Sequence, residues 1–358
     1  MTTRGVIPDG DMPWLDATGP DSALVLSTRV RLARNLTGHP YWGRNSPEDR
    51  EMIAAELADA ARTMPSLANA TMYRLDAVSL TTRRWLAERQ LVSRDLAGLD
   101  PSTHVRSAAA LLLDRGAGAV INEEDHVRLQ GLRSGFALDA AYDVTERMDR
   151  EFGVRVSFAF HPSFGYLTAC PTNVGTGLRA SVLIHLPALV LTTEITKVLA
   201  GLAQVGLTYR GLFGEGSEAF GHLFQLSNQV TLGKSEAELL EHLGRMVRQV
   251  MDYEQRAREV LRETAAVALD DRVWRAMATL QHARMLSFEE VVNLLSGVRL
   301  GVTMRVLPDI PLATLNRLLV LAQTAHVAQS FGVRCDAESI PELRATMVRR
   351  MFEEVGRP

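Results

Sequence analysis

Cys170-Pro171-Thr172-Asn173-Val174-Gly175-Thr176-Gly177-Leu178-Arg179-Ala180-Ser181 gathers a cysteine, hydroxyls, an amide, two glycines and an arginine into one short segment. Pro171, Asn173, Gly175 and Gly177 are turn signals. The run that follows, Arg179-Ala180-Ser181-Val182-Leu183-Ile184-His185-Leu186-Pro187, is apolar and reads as a buried strand. The reactive groups therefore belong on a tight loop held by a strand, where sites are usually carried. Taken alone, Cys170 reads as a small core residue and the glycines as mere turn formers. Two further stretches shift that balance.

The first is Leu24-Val25-Leu26-Ser27-Thr28-Arg29-Val30-Arg31-Leu32-Ala33-Arg34. As a strand, its period of two puts Ser27, Arg29 and Arg31 on one face. Neighbouring arginines on a strand repel unless an anion lies between them or acids face them; an exposed polar face is the plain alternative. The second begins with Ala108-Ala109-Ala110-Leu111-Leu112-Leu113, turns at Asp114-Arg115-Gly116-Ala117-Gly118, and returns through Ala119-Val120-Ile121-Asn122-Glu123-Glu124-Asp125-His126-Val127-Arg128-Leu129. Read as one return strand, it places Asn122, Glu124, His126 and Arg128 on one face and Glu123, Asp125, Val127 and Leu129 on the other. A solvated edge strand would also carry such residues, but the apolar partner suggests an interior strand, where polar groups need partners or a ligand.

A chain of 358 residues suggests two domains. Apolar content of 46% and charged content of 23% are those of a soluble globular protein. A net charge of −3 argues against a general binder of nucleic acid or anionic membranes. No apolar run approaches the ~18 residues of a membrane span, and the N-terminus has no signal-peptide pattern. Cys170 and Cys335 lie far apart and fit no metal spacing, so a reduced cytoplasmic protein without a protein-held metal site is expected. Lys197 and Lys234 are the only lysines, so the abundance of arginine is discounted and only its positions are used.

Helices are expected over 47–63, capped by Ser46, over about 79–90, over 139–152 and over 187–205. Residues 91–104 read as a loop, Val154–Phe160 and Phe224–Val230 as strands, and Tyr209–Glu218 as a glycine-punctuated acidic loop. Ser235 with Glu238 and Ser287 with Glu290 are capping boxes. Beyond about residue 232 only helical patterns remain, including 313–331 and a run from Pro341 to 355. The expected division is 1–232, mixed helix and strand, and 233–358, all helical.

Together the dense segments offer arginines on two strands, a face of acid, imidazole and guanidinium, a cysteine loop ending in Arg179, and an acidic loop. Convergent guanidinium groups suit a polyphosphate, because each presents a planar fork of donors. Carboxylates beside them suit a cationic acceptor. Phosphoryl transfer to a nitrogen acceptor fits both.

The runs Ser27-Thr28-Arg29-Val30-Arg31, Asn122-Glu123-Glu124-Asp125-His126-Val127-Arg128 and Cys170-Pro171-Thr172-Asn173-Val174-Gly175-Thr176-Gly177-Leu178-Arg179 resemble, in order and spacing, the three signatures of the ATP:guanido (phosphagen) phosphotransferases. The resemblance covers about residues 20–232 and is nearest to the bacterial protein-arginine kinases of the McsB type. That branch lacks the N-terminal helical domain of creatine and arginine kinases. It also carries the Gly211–Glu218 pattern, the Leu-Gly-Lys-Ser-Glu run at 232–236 and a helical C-terminal domain.

The resemblance implies an α+β catalytic domain, with a largely antiparallel sheet flanked by helices, followed by an all-α domain for dimerisation or substrate docking. It implies ATP and Mg²⁺, with Ser27, Arg29, Arg31, Arg128, Arg179 and Arg210 at the nucleotide and its phosphates. Glu124 would hold the acceptor guanidinium and take its proton, and Glu218 would act alike from the acidic loop. Cys170 would lie beside the guanidinium as a thiolate that Thr172 stabilises. A guanidinium has a pKa above ~12 and is a poor nucleophile at neutral pH, so carboxylates that fix its plane and accept a proton make chemical sense.

The implied partners are arginine-bearing protein substrates, an McsA-type activator, a CtsR-type heat-shock repressor, a Clp protease and a second copy of the chain. Three positions depart from the pattern. Phe213 stands where small-molecule enzymes carry a loop arginine, Leu183 replaces a nucleotide-contacting histidine, and Ile340-Pro341-Glu342-Leu343-Arg344-Ala345 keeps only the last two residues of the Arg-Asp-x-x-Arg-Ala phosphoarginine motif. A small-molecule guanidino kinase and a non-catalytic adaptor are the competing readings.

Overall fold

In the computed structural model, which describes residues 12–212 and 219–355, the chain runs in this order. First come β1 (Val25–Arg34), α1 (Pro47–Arg62), β2 (Thr71–Arg74), α2 (Leu80–Glu88), β3 (Ala110–Asp114), β4 (Ala117–Ile121), β5 (Val127–Ser134) and α3 (Leu138–Gly153). Next are β6 (Phe160–His161), β7 (Gly165–Tyr166), β8 (Leu178–His185), α4 (Pro187–Leu191), α5 (Ile195–Gln204), β9 (Leu207–Gly211) and β10 (Leu223–Asn228). Helices alone follow: α6 (Glu236–Thr264), α7 (Ala266–His282), α8 (Phe288–Thr303), α9 (Leu312–Leu321), α10 (Thr324–Phe331) and α11 (Ile340–Val355).

The strands of the main sheet are ordered β2-β3-β4-β5-β1-β8-β10-β9, and every neighbouring pair is antiparallel. Strand alternation divides it chemically. Val30, Leu32, Leu129, Ala180, Val182 and Leu226 form one buried apolar face, which joins a core built with α1, α3 and α6. The long α6 starts at the capping box of Ser235 and Glu238, and its stripe of Leu239, Leu243, Val247 and Val250 lies in that same core. Helices α7, α8, α9 and α11 form a second core, which reaches Leu26, Leu183 and Leu223 at one end of the sheet. The C-terminal helices thus close over part of the opposite, polar face. No described helix is long and apolar enough to cross a membrane.

This is the expected α+β architecture followed by helices, with four local differences. Residues 122–126 are a turn, not part of a strand: β4 stops at Ile121, Asn122 adopts φ +57°, and pairing resumes at Val127. Alternation therefore does not apply there, and Glu123, Asp125 and His126 are buried while Glu124 is exposed. Residues 154–159 form no strand; a lone bridge joins Phe158 to Leu36, and only Phe160–His161 pair, with Gly165–Tyr166. Tyr209 and Arg210 belong to edge strand β9 rather than to a loop. The run 187–205 is two helices, broken where Thr193 adopts φ +63°.

Candidate active site

The register of the sheet assembles the basic face. On β1 and β8, Arg31 stands opposite Arg179, Arg29 opposite Ser181 and Ser27 opposite Leu183. On the other flank, β5 places Gln130 opposite Arg31 and Arg128 opposite Ala33. Leu183 pairs with Gln225 on β10, which pairs with Arg210 on β9. Opposed residues of antiparallel strands share a face, and steps of two stay on it. Ser27, Arg29, Arg31, Arg128, Arg179 and Arg210 therefore all lie on the polar face. Arg34, an odd number of steps away, lies on the other side, where it pairs with Asp149 at 2.8 Å beneath the Tyr166 ring.

These guanidinium groups burden one another. Burial, then Arg128 and Arg210, brings the Arg29 pKa down to about 10. Burial, then Arg128, Arg29 and Arg179, pushes Arg31 well below the usual arginine range, with Glu123 opposing. Arg179 is lowered by burial, then by Arg210 and Arg128, against the pull of Cys170 and Glu124. The Nε atoms of Arg31, Arg128 and Arg179 are buried without a hydrogen-bond partner among the described residues. Arg128 is paired with Glu123. Concentrating positive charge in a partly desolvated site is costly unless an anion with several oxygens occupies it.

The turn at 122–126 fixes the acids. Glu123 is buried between Arg128 and the Ser93 hydroxyl, which donates to it at 2.6 Å. Asp125 Oδ1 accepts from the Asn35 amide and from the Ala169 N–H, both at 2.7 Å, so it ties the end of β1 to the approach of the cysteine loop. His126 accepts at Nδ1 from the Leu36 N–H at 3.0 Å, which leaves Nε2–H for the Pro40 carbonyl at 3.0 Å. Burial holds its pKa down, in keeping with this neutral ring. Only Glu124 is left exposed to meet a ligand. No role is expected for Glu123 and Asp125 from the Asn122–Arg128 run, although two acids beside an arginine and a histidine are a signal present in it.

The cysteine loop is held from below. Thr231 Oγ1 donates to the Thr172 and Val174 carbonyls at 2.9 and 2.7 Å. Gly175 and Gly177 adopt φ +112° and +65°, and a Cβ on them would come within 2.3 Å of the Thr231 carbonyl and 2.6 Å of the Ala33 carbonyl. No other residue fits there without backbone movement. Cys170 Sγ lies 3.0 Å from Thr172 Oγ1. Glu218 and Phe213 lie outside the described residues.

The basic face opens at Gln90 and Leu212 into a cavity of ≈ 760 Å³, walled by Arg210, Arg94, Phe288 and Thr324. A small recess beside it is lined by Trp14, Ser27, Arg29, Ser181 and Leu183. An apolar groove of ≈ 710 Å³ between α5 and α6 contains none of these residues.

The sequence profile of the "ATP:guanido phosphotransferase, C-terminal catalytic domain" matches residues 52–257. That of the "Protein-arginine kinase McsB C-terminal domain" matches 266–358. The chain belongs to the protein-arginine kinase branch of the ATP:guanido phosphotransferases. It is 40% identical to the protein-arginine kinase of Pelotomaculum thermopropionicum, over 98% of this chain and 99% of that one. With the protein-arginine kinase of Bacillus subtilis identity is 37%, over 98% and 95%.

Among solved structures, lombricine kinase superposes with a TM-score of 0.55 at 26% identity, covering 71% of this chain and 72% of that one. The duplicated taurocyamine kinase of Schistosoma mansoni, solved with transition-state-analogue components, gives 0.59 at 25% identity over 75% and 40%. Membership carries the reaction class of the family, ATP-dependent transfer of a phosphoryl group to a guanidino nitrogen.

Proposed function

We propose that this chain phosphorylates arginine side chains in proteins, with the face formed by Arg29, Arg31, Arg128, Arg179 and Arg210 as the clamp for the ATP phosphates. The convergence of these guanidinium groups on one face carries the reading; burial and the neighbouring guanidinium groups depress Arg29, Arg31 and Arg179, a cost that a polyphosphate removes. Ser27 adds a hydroxyl at the same face. The acceptor guanidinium lies at the edge formed by the exposed Glu124 and Cys170, with Thr172 holding the sulfur. Glu124 orients the guanidinium and takes its proton, and Glu218 assists from the acidic loop.

In the transfer, the bond from the γ-phosphorus to the bridging oxygen breaks as a bond to the guanidino nitrogen forms. ADP leaves with the electron pair, and the displaced proton passes to a carboxylate. Positioning and charge neutralisation account for most of the rate in such a reaction. Mg²⁺ would be carried by the nucleotide phosphates and water rather than by a cage of protein side chains, in keeping with the lack of a cluster of three or more metal-ligating side chains among the described residues. The ion supplies neutralisation of phosphate charge.

By the family reading the enzyme works in the cytoplasm as a homodimer. It marks arginine-bearing proteins for a Clp protease and acts on a CtsR-type repressor under an McsA-type activator. The test is incubation with labelled ATP, Mg²⁺ and an unfolded arginine-rich protein, beside a Glu124→Gln control. Acid-labile label on the protein, absent from the control, is expected. Label on free arginine alone would make it a small-molecule kinase, and no transfer to either would leave an adaptor.

A further inference from the structure

The stretch from Glu88 to Ser93 runs between the C-terminal helices and the arginine face, and each end is anchored by hydrogen bonds. At one end, the Glu88 carboxylate caps the start of α10. Its Oε1 accepts from the Ala325 N–H at 2.8 Å, and its Oε2 accepts from the His326 N–H at 3.2 Å. His326 Nδ1 lies 2.7 Å from Oε2 as well. The Glu88 carbonyl accepts from the Gln323 side-chain amide at 2.9 Å. Arg89 is buried against the Trp85 ring at 3.8 Å and donates from Nε to His326 Nε2 at 3.1 Å. These two contacts agree on one tautomer: a ring protonated at Nδ1 donates to Glu88 and accepts from Arg89.

At the other end the chain bends sharply, with Gln90 at φ +60°. The bend turns the Gln90 carbonyl onto Arg29, whose Nη2 donates to it at 2.6 Å. The next carbonyl, of Leu91, accepts from the Gln130 amide at 3.1 Å, and Ser93 donates to Glu123, the partner of Arg128. Two members of the clamp are therefore held through one short segment whose far end is a helix cap in the other domain.

We propose that residues 88–93 are a strap by which the C-terminal helices set the position of Arg29 and Arg128, with Glu88 as its positioning residue. The inference rests on the reading that these arginines hold nucleotide phosphates. Movement of α10 shifts the Gln90 carbonyl and thereby releases or withdraws the Arg29 guanidinium. Linkage makes the coupling reciprocal: nucleotide at the clamp must steady the start of α10.

The experiment uses the full chain, wild type and Glu88→Gln, with a non-hydrolysable ATP analogue and Mg²⁺. Binding is measured by calorimetry, and amide hydrogen exchange is followed over 88–93 and 324–331. Nucleotide is expected to slow exchange at the start of α10 in the wild type. Glu88→Gln should abolish that effect and weaken nucleotide binding about five-fold or more, within the usual range of coupling between sites, with the KM for ATP raised more than kcat is lowered.

If Glu88→Gln does not fold, Gln323→Ala, which removes the amide bond to the Glu88 carbonyl and one to the Leu319 carbonyl of α9, should act in the same direction to a smaller extent. Wild-type protein that binds the analogue with unchanged α10 exchange overturns the strap and leaves the kinase reading standing. So does a stable variant that binds as wild type. Wild-type protein that binds no nucleotide overturns both.

Discussion

Arg31 on β1 stands directly opposite Arg179 on β8, and the buried Nε of each finds no hydrogen-bond partner among the described residues. Two like charges opposed across a ladder destabilise it, and here the pair sits at the centre of the sheet. The fold tolerates a local cost where a polyanion is to bind. Replacing Arg179 with Met should separate the two effects. Without ligand, the variant should melt no lower than wild type, since repulsion is removed while the stem volume is kept. Phosphoryl transfer should fall by about 10²-fold or more, the usual loss when one donor to developing charge is removed. Thermal melts with and without ATP, alongside transfer assays, decide this. A ligand-free midpoint several degrees below wild type would show that Arg179 is part of the structural core.

Asp125 tests the acceptor side. Its Oδ1 holds both the Asn35 amide and the Ala169 N–H, one residue from Cys170. Asp125→Ala takes the acceptor from the part-buried Ala169 N–H and from one hydrogen of the buried Asn35 amide, whose nitrogen keeps its bond to the Leu167 carbonyl, and should cost roughly 1–3 kcal/mol in urea unfolding. The arginines on β1 and β8 keep their ladder, so kcat should fall further than nucleotide affinity. An equal loss in both would mean that the turn supports the phosphate clamp instead.

What could be read in advance follows from which constraints are local. Ser27, Arg29 and Arg31 share a face because strand alternation is fixed by backbone geometry. Gly175 and Gly177 marked the loop because only glycine accepts those dihedrals and approaches. The alternating polar residues of the turn at 122–126 imitate a strand, whereas their burial comes from partners distant in sequence, Asn35 and Ser93 among them. Gly211 and Gly214 predict a loop at Arg210, yet pairing with β10 overrides that local preference. The Glu88–Ser93 strap acts largely through backbone carbonyls, which every residue carries, so no side-chain pattern announces it.

Arg344 illustrates a motif residue with a structural task. It is buried, donating to the Ala322 carbonyl at 2.7 Å, to the Leu286 carbonyl at 2.9 Å and to the Thr324 hydroxyl at 3.3 Å. Arg344→Ala removes a donor from each of these acceptors at the junction of α9, α10 and α11. The expected loss is roughly 2–3 kcal/mol of stability, the range for buried hydrogen bonds to a charged group, read as a lower denaturant midpoint. Transfer per folded molecule at saturating ATP should change far less.

The junction between the sheet and the C-terminal helices should also make stability depend on acid. Ser296 Oγ lies 2.8 Å from His185 Nε2 and 2.9 Å from His222 Nδ1, bridging the end of β8 to α8. Burial, then Arg299 and Arg258, pushes His185 well below the usual imidazole range. Burial, then Arg272, brings His222 down to about 4. Both rings are neutral in the folded protein at pH 7, whereas in the unfolded chain they titrate near ~6.5. Between those values the unfolded chain binds more protons, so stability is full above pH ~6.5 and is lost as pH falls towards 4. At roughly 1.4 kcal/mol per pKa unit, His222 alone contributes on the order of 3 kcal/mol across that window. Urea midpoints measured from pH 7 to 4.5 should fall steadily in the wild type and less steeply in His222→Gln. Equal slopes for the two proteins would assign the acid sensitivity to other groups.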